Sequence, residues 1–149
     1  EVKLPLDLDR LNAQLDQYRK DPAKCAQGEW VDAGFAKDWF ESASRWNPRK
    51  NAYSAPMSAL RLGTVALLFH PAELYSFYGL AIRRDSPFPL TLAVGYTDDF
   101  VGYLPDPAAF KAGEYAAIVV PKILDLPPFQ PRAAAALTSA ATTLMRKLV

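Results

Sequence analysis

The apolar positions along this chain change period several times, and each change marks a predicted element. In residues 1–6, Val2, Leu4 and Leu6 alternate with other residues, the period of a short strand, and Pro5 favours an edge position. Leu8, Leu11, Leu15 and Tyr18 then recur at helical spacing, with Asp7 or Asp9 as cap and Asp21-Pro22 as stop. Residues 29–46 predict a second helix. Trp30, Phe35, Trp39, Phe40, Ala43 and Trp46 give it an aromatic face, and Asn47-Pro48 ends it. The polar, proline-bounded residues 49–56 read as a loop.

The centre of the chain is richer in β-formers. Residues 57–69 predict a first core strand, with Val65-Ala66-Leu67-Leu68-Phe69 as its apolar run. Residues 73–84 follow as a helix with Leu74, Phe77, Tyr78, Ala81 and Ile82 inward, and residues 90–95 as a second core strand. Strand, helix and strand make a βαβ unit. Asp106-Pro107 opens a short helical turn that Gly113 stops, residues 115–120 form a third apolar, β-rich run, and residues 123–131 are a proline-rich loop. A last helix starts near Pro131 and carries Leu137, Ala141, Leu144, Met145 and Leu148 on one face. The elements predict an α/β (or α+β) fold: a mixed sheet of about four strands, with the βαβ unit and helices packed on it, in a single domain over residues 1–149.

Composition excludes some functions. The formal net charge is +1, so no basic field attracts nucleic acid. No apolar run approaches the roughly 18 residues of a membrane span. Cys25 is the one cysteine, which rules out an intramolecular disulfide and a cysteine-rich zinc site. The chain opens on Glu1 and not on Met, as a processed product or a piece of a longer protein would.

Candidate chemistry gathers where the two core strands end. His70 and Glu73 stand in an H-x-x-E spacing that on a helix puts two ligands on one face, although Pro71 lies between them. Glu73 equally suits the first turn of a helix, where it complements the dipole. Asp98-Asp99 is either a pair of ligands for a hard cation or a solvated turn. Tyr96, Tyr103 and Tyr115 are spread over strand ends and a loop, where tyrosines often form a core rim with a polar tip. Adjacent strand ends would bring Glu73 beside the loop that begins at Tyr96. No glycine-rich phosphate loop and no G-x-S-x-G motif is present.

The order of these features resembles the neutral/alkaline (non-lysosomal) ceramidase family, in the part of its catalytic domain nearest the C-terminal end, as found in bacterial members. The resemblance lies in Leu60-Arg61-Leu62-Gly63 followed by His70-Pro71-Ala72-Glu73, then Gly79-Leu80-Ala81-Ile82-Arg83-Arg84, Val94-Gly95-Tyr96 and Gly102-Tyr103-Leu104-Pro105, and closes on Phe110-Lys111-Ala112-Gly113-Glu114-Tyr115. It covers about residues 57–116. That family is a zinc amidohydrolase that cleaves the N-acyl bond of ceramide. Carried over by position, the resemblance implies Glu73 and Tyr103 as zinc ligands and Tyr115, twelve residues beyond Tyr103, as the catalytic residue that polarises the substrate carbonyl. It also implies an extracytoplasmic setting.

The chain departs from the family's pattern at several points, among them the family's Asn-x-Tyr after the second strand, replaced around Asp98-Asp99-Phe100, and His70, at a position usually apolar or small. Ala72 stands where the family's P-G-E motif has glycine, and the upstream zinc histidines are missing from a chain whose one histidine is His70. The resemblance therefore implies the C-terminal portion of a larger ceramidase-like protein. Such a portion holds zinc only with an N-terminal catalytic partner portion and is inactive alone. The alternative is a non-catalytic structural or partner-binding module of the same fold, with a large apolar surface able to drive homodimer formation. A third idea, a membrane-surface role for the aromatic helix, requires exposed tryptophans, whereas its periodicity predicts burial.

Overall fold

The strands with the most continuous apolar pattern form one small mixed sheet. A computed structural model describes residues 1–25 and 33–149. In it β3 (Ser58–Leu62) pairs antiparallel with β4 (Val65–Phe69), and β6 (Leu90–Val94) pairs parallel with β4 on the other side. The connection from β4 to β6 passes through α4 (Ser76–Arg84), which completes the expected βαβ unit. The predicted long strand over residues 57–69 is thus a hairpin. Gly63 turns it at φ +61, a conformation that glycine adopts without a Cβ penalty. Apolar residues on both sides of the turn hide this break from the periodicity.

The sheet has three strands, and the others pair elsewhere. β1 (Val2–Pro5) forms an antiparallel ribbon with β2 (Ala52–Ala55), so the expected loop at 49–56 contains a strand. β5 (Ala72–Leu74) forms a parallel ribbon with β7 (Gly102–Leu104). The α/β character holds, with the strands divided among three sheets.

α8 (Ala133–Arg146) backs the structure. Its buried positions Leu137, Ala141 and Met145 lie on the predicted face, with Leu144 and Leu148 half-buried. The helix begins at Ala133, two residues past Pro131. Leu68, Ile82 and Phe129 share the same core with it. A second cluster joins α1 (Leu8–Lys20) to α3 (Ala33–Ala43): Leu11 and Leu15 pack with Trp39, Phe40 and Ala43. Asp7 caps α1 as expected, its Oδ1 accepting the Arg10 N–H at 2.9 Å. Trp39 is only 3% exposed, contrary to what a membrane-surface helix needs. Trp30 and the expected start of that helix lie outside the described residues.

After β4 the chain departs from expectation at α4 and at residues 115–120. α4 starts at Ser76, with Glu73 outside it on β5. Tyr78 and Ile82 are buried, while Phe77 faces solvent. α5 (Pro107–Ala112) is capped by Asp106 and stopped by Gly113 at φ +71, as read. Residues 115–120, read as a strand, instead form α6 (Tyr115–Ile118) and the start of α7 (Val120–Ile123). Ala116 and Ala117 are good helix formers, and the Ile118 N–H bonds back to the Glu114 carbonyl, so local bonding prevails over the β-branched run Ile118-Val119-Val120.

The two faces of the mixed sheet are unlike. Ala66, Leu68 and Thr91 point into the core, and Thr91 shares a hydrogen bond with Ser86, which also contacts Met145. On the opposite face Leu60, Leu67 and Leu92 stand in one row, and Leu62, Val65 and Leu90 in the next. The four leucines on β3 and β6 are between 44 and 58% exposed, so among the described residues this apolar face is open.

Candidate functional site

The site is built where β4 and β6 end and β5 and β7 begin. After β4 the chain does not enter a helix. The His70 N–H bonds the Val94 carbonyl, and the Val101 N–H bonds the Pro71 carbonyl, which draws the segment into β5 beside β7. Register then places Glu73 opposite Tyr103. This excludes both local readings of Glu73. It is not in the first turn of a helix, and it does not share a helical face with His70.

Glu73 nevertheless meets the loop after β6, as adjacent strand ends require. The Tyr96 hydroxyl donates to Glu73 Oε2 at 2.7 Å. Tyr103 faces the same carboxylate across the ribbon and lines the same cavity. Both phenols are held above their ordinary range. Tyr96 is pushed up to about 12, first because its proton is held by Glu73. Tyr103 is raised first by the same carboxylate. Glu73, Tyr96, Tyr103 and His70 line one cavity of about 290 Å³.

Tyr103 is also a wall of a second cavity, of about 420 Å³, whose other side chains include Tyr75, Glu114 and Tyr115. The Tyr75 hydroxyl donates to Glu114 Oε2 at 2.9 Å, and the Tyr75 and Tyr103 rings meet edge to face at 6.2 Å. Tyr75 is pushed up to about 12, chiefly by burial and then by its bond to Glu114. Tyr115, at the start of α6, is 42% exposed. The three positions singled out in the sequence therefore lie along one surface, with Tyr103 in the middle, Glu73 on one side and Tyr115 on the other.

His70 lines the Glu73 cavity but is buried, and burial lowers its pKa. The Ala72 N–H lies 3.4 Å from its Nδ1, which assigns the acceptor nitrogen of a neutral imidazole. Asp98 and Asp99 do not act as a pair. Asp99 Oδ2 accepts the Tyr53 hydroxyl at 2.7 Å and its Oδ1 accepts the Phe100 N–H, while Asp98 sits in left-handed backbone at φ 65. Among the described residues no three His, Cys, Asp or Glu side chains gather as metal ligands.

The donor set beside β5 and β7 suits part of a zinc site. A carboxylate and a phenol stand opposite each other there, and both are oxygen ligands that zinc accepts. Together they supply two of the four positions of a tetrahedral site. Tyr96 and the Tyr75–Glu114 pair were not separable from ordinary rim residues in the sequence. What selects them is register and loop conformation, which periodicity does not carry.

Comparison with protein-family models, curated proteins and solved structures gives no match to this chain. Among the described residues no helix is long and apolar enough to cross a membrane.

Proposed function

We propose that this chain is the C-terminal part of a ceramidase-like zinc amidohydrolase, acting on the N-acyl bond of a lipid-like amide and inactive without further ligands. The observation that carries this reading is the pairing of Glu73 with Tyr103 across β5 and β7, with Tyr115 on the far side of Tyr103. Zinc, when bound, acts as a Lewis acid on the carbonyl and on water. Glu73 and Tyr103 are the residues that would hold it. Tyr103 would lose its hydroxyl proton to solvent on ligation, because a cation reverses the local preference for the neutral phenol. Tyr115 directs its hydroxyl at the carbonyl oxygen, where negative charge develops during attack. Further ligands would have to join them, because no three His, Cys, Asp or Glu side chains of the described residues gather there.

The test is a zinc titration of the chain, followed by the near-ultraviolet band of tyrosine ionisation. Zinc should raise that band near neutral pH, and Tyr103→Phe and Glu73→Gln should each abolish the response. Tyr115→Phe should keep it, because Tyr115 orients substrate and not metal. A response that survives both Glu73→Gln and Tyr103→Phe rejects the reading, because zinc is then held elsewhere; no response at all is the outcome of an incomplete site or of a non-catalytic module.

A second reading, a binding module without catalysis, is favoured by the open leucine face of the mixed sheet. Sheets with parallel strands are normally covered on both faces, and Val65–Phe69 is apolar on both. In this reading the face packs on a second copy of the chain, a flat aliphatic surface against its own symmetry mate with little net charge to oppose it. Light scattering should then show a dimer that Leu92→Asp dissociates. A monomer at high concentration removes this reading.

A further inference from the structure

We propose that the cavity walled by Tyr75, Tyr103 and Tyr115 is a binding site for a methylated ammonium cation, with Glu114 at its edge as the counter-charge. The inference goes beyond the metal reading and does not rest on it, because the three tyrosines enter with their rings and not with their oxygens.

The cavity has the composition that such a cation needs. Its volume of about 420 Å³ suits a small molecule. Besides the three tyrosines, the described residues that line it are Glu114 and Ala116, a carboxylate and a methyl group, with no basic side chain. The face of an aromatic ring is negative and attracts a cation, most strongly where water is displaced, and several rings together recognise quaternary ammonium groups. A methylated cation suits these walls better than a lysine-type ammonium. It buries methyl surface against the rings and brings no strongly hydrated N–H groups that need acceptors.

The charge at the edge is not neutralised from within. Among the described residues the ion pairs are Arg19–Asp16, Lys37–Glu41 and Arg84–Asp85, and none of them engages Glu114. Glu114 Oε2 accepts the Tyr75 hydroxyl at 2.9 Å, which ties the carboxylate to a wall of the cavity. Asp106 adds a second negative charge within reach of Tyr75.

The backbone sets the walls. Tyr75 sits between β5 and α4, where its carbonyl accepts the Tyr78 N–H at 2.9 Å. Tyr103 is held in β7 by its pairing with β5. Gly113, at φ +71, ends α5, and the Glu114 carbonyl then accepts the Ala117 and Ile118 N–H groups to start α6 at Tyr115. The Tyr75 and Tyr103 rings lie 6.2 Å apart with planes at 81°, as adjoining walls of a corner. Tyr115 is 42% exposed, so the cavity opens to solvent on its side.

The experiment titrates choline into the chain and follows its methyl resonance, which the ring currents of the walls shift upfield. The control is its neutral isostere, in which a quaternary carbon replaces the nitrogen. Choline should bind saturably and the isostere should not. Tyr103→Phe keeps the ring and should bind within about twofold of wild type, whereas Tyr103→Leu and Tyr115→Leu should each weaken binding about 5- to 30-fold. Glu114→Gln should weaken it as well. Melting curves show which variants fold, and Tyr115→Leu, at an exposed position, keeps the comparison if Tyr103→Leu does not. Vesicles of phosphatidylcholine and of phosphatidylglycerol separate the sources of the group. Retention on the first alone, released by choline, assigns a lipid headgroup; choline binding without retention assigns a free cation. No saturable choline binding at millimolar concentrations, equal binding of the neutral isostere, or folded leucine variants that bind as wild type does would each overturn the inference. All of these readouts are taken without zinc, so they leave the metal reading to its own test.

Discussion

Tyr103 stands opposite Glu73 in the register of the β5–β7 ribbon, and that carboxylate is the first cause that raises its phenol. The pairing depends on the residue just before Tyr103. Gly102 opens β7 at φ +69, and a Cβ there would lie 2.6 Å from Val120 Cγ1 and 2.8 Å from Leu124 Cδ1. α7 therefore packs against the place where glycine has no side chain.

Gly102→Ala should for this reason be costly although it adds a single methyl group. Left-handed backbone and overpacking against α7 together predict a loss of roughly 2–4 kcal/mol. Urea denaturation measures it. A loss below about 0.5 kcal/mol, the range of neutral surface substitutions, would mean that α7 yields freely and that Gly102 does not set the position of Tyr103.

How much of this was legible in the sequence follows from which bonds are local. Asp7, Asp106 and Gly113 were readable because a cap is decided within a few residues. The stripe of Leu137, Ala141 and Met145 was readable because a helix repeats its environment. Glu73 was misplaced because its backbone is claimed by a strand that arrives after α4 and β6, and no local pattern announces that partner. Residues 115–120 were misread for a related reason: the β-branched run Ile118-Val119-Val120 suggested a strand, but among the described residues no neighbouring strand edge receives it. The contact between Glu73 and Tyr96 was foreseeable only as the meeting of two strand ends, and the hydroxyl that makes it depends on a left-handed residue.

His70 supplies a pH dependence at the acidic side. Its Nδ1 faces the Ala72 N–H, and burial lowers its pKa from the model-peptide value of 6.5. Protonation would set a second N–H against the first. The unfolded chain then takes up this proton more readily than the folded one, so the contribution of His70 is complete above about pH 6.5 and is lost as pH falls through the lower folded value. The imidazole resonances should titrate below 6.5. A midpoint at or above that value would show that the ring is open to water and that the end of β4 is looser than its hydrogen bonds indicate.

The mixed sheet predicts unequal responses on its two faces. Leu68, with no exposed surface, should lose roughly 2–5 kcal/mol on substitution by alanine. Leu92, 47% exposed on the open face, should lose under about 1 kcal/mol, because much of its surface is already in water. Chemical denaturation of both variants gives the comparison. If Leu92→Ala costs as much as Leu68→Ala, and the cost falls on dilution, the face is covered by another copy in solution, and the binding-module reading gains on the amidohydrolase one.

At the alkaline side the relevant pair joins the β1–β2 ribbon to the loop after β6. The Tyr53 hydroxyl donates to Asp99 Oδ2 at 2.7 Å, and this bond, with burial and the charge of Asp99, pushes Tyr53 up to about 12 from 10. Between those two values the unfolded chain has lost the phenol proton and the folded chain retains it. Stability should hold up to about pH 10 and decline from there toward 12. Tyr75 and Tyr96, raised to about 12 by Glu114 and Glu73 among other causes, act in the same direction. Asp99→Asn removes the charge that opposes ionisation of Tyr53. The phenolate absorbance of that variant should therefore rise at lower pH by the amplitude of one tyrosine, and its alkaline unfolding should be shallower than wild type. A wild-type titration in which all the tyrosines ionise together near 10 would contradict the bond, and with it the anchoring of the Asp99 loop to β2.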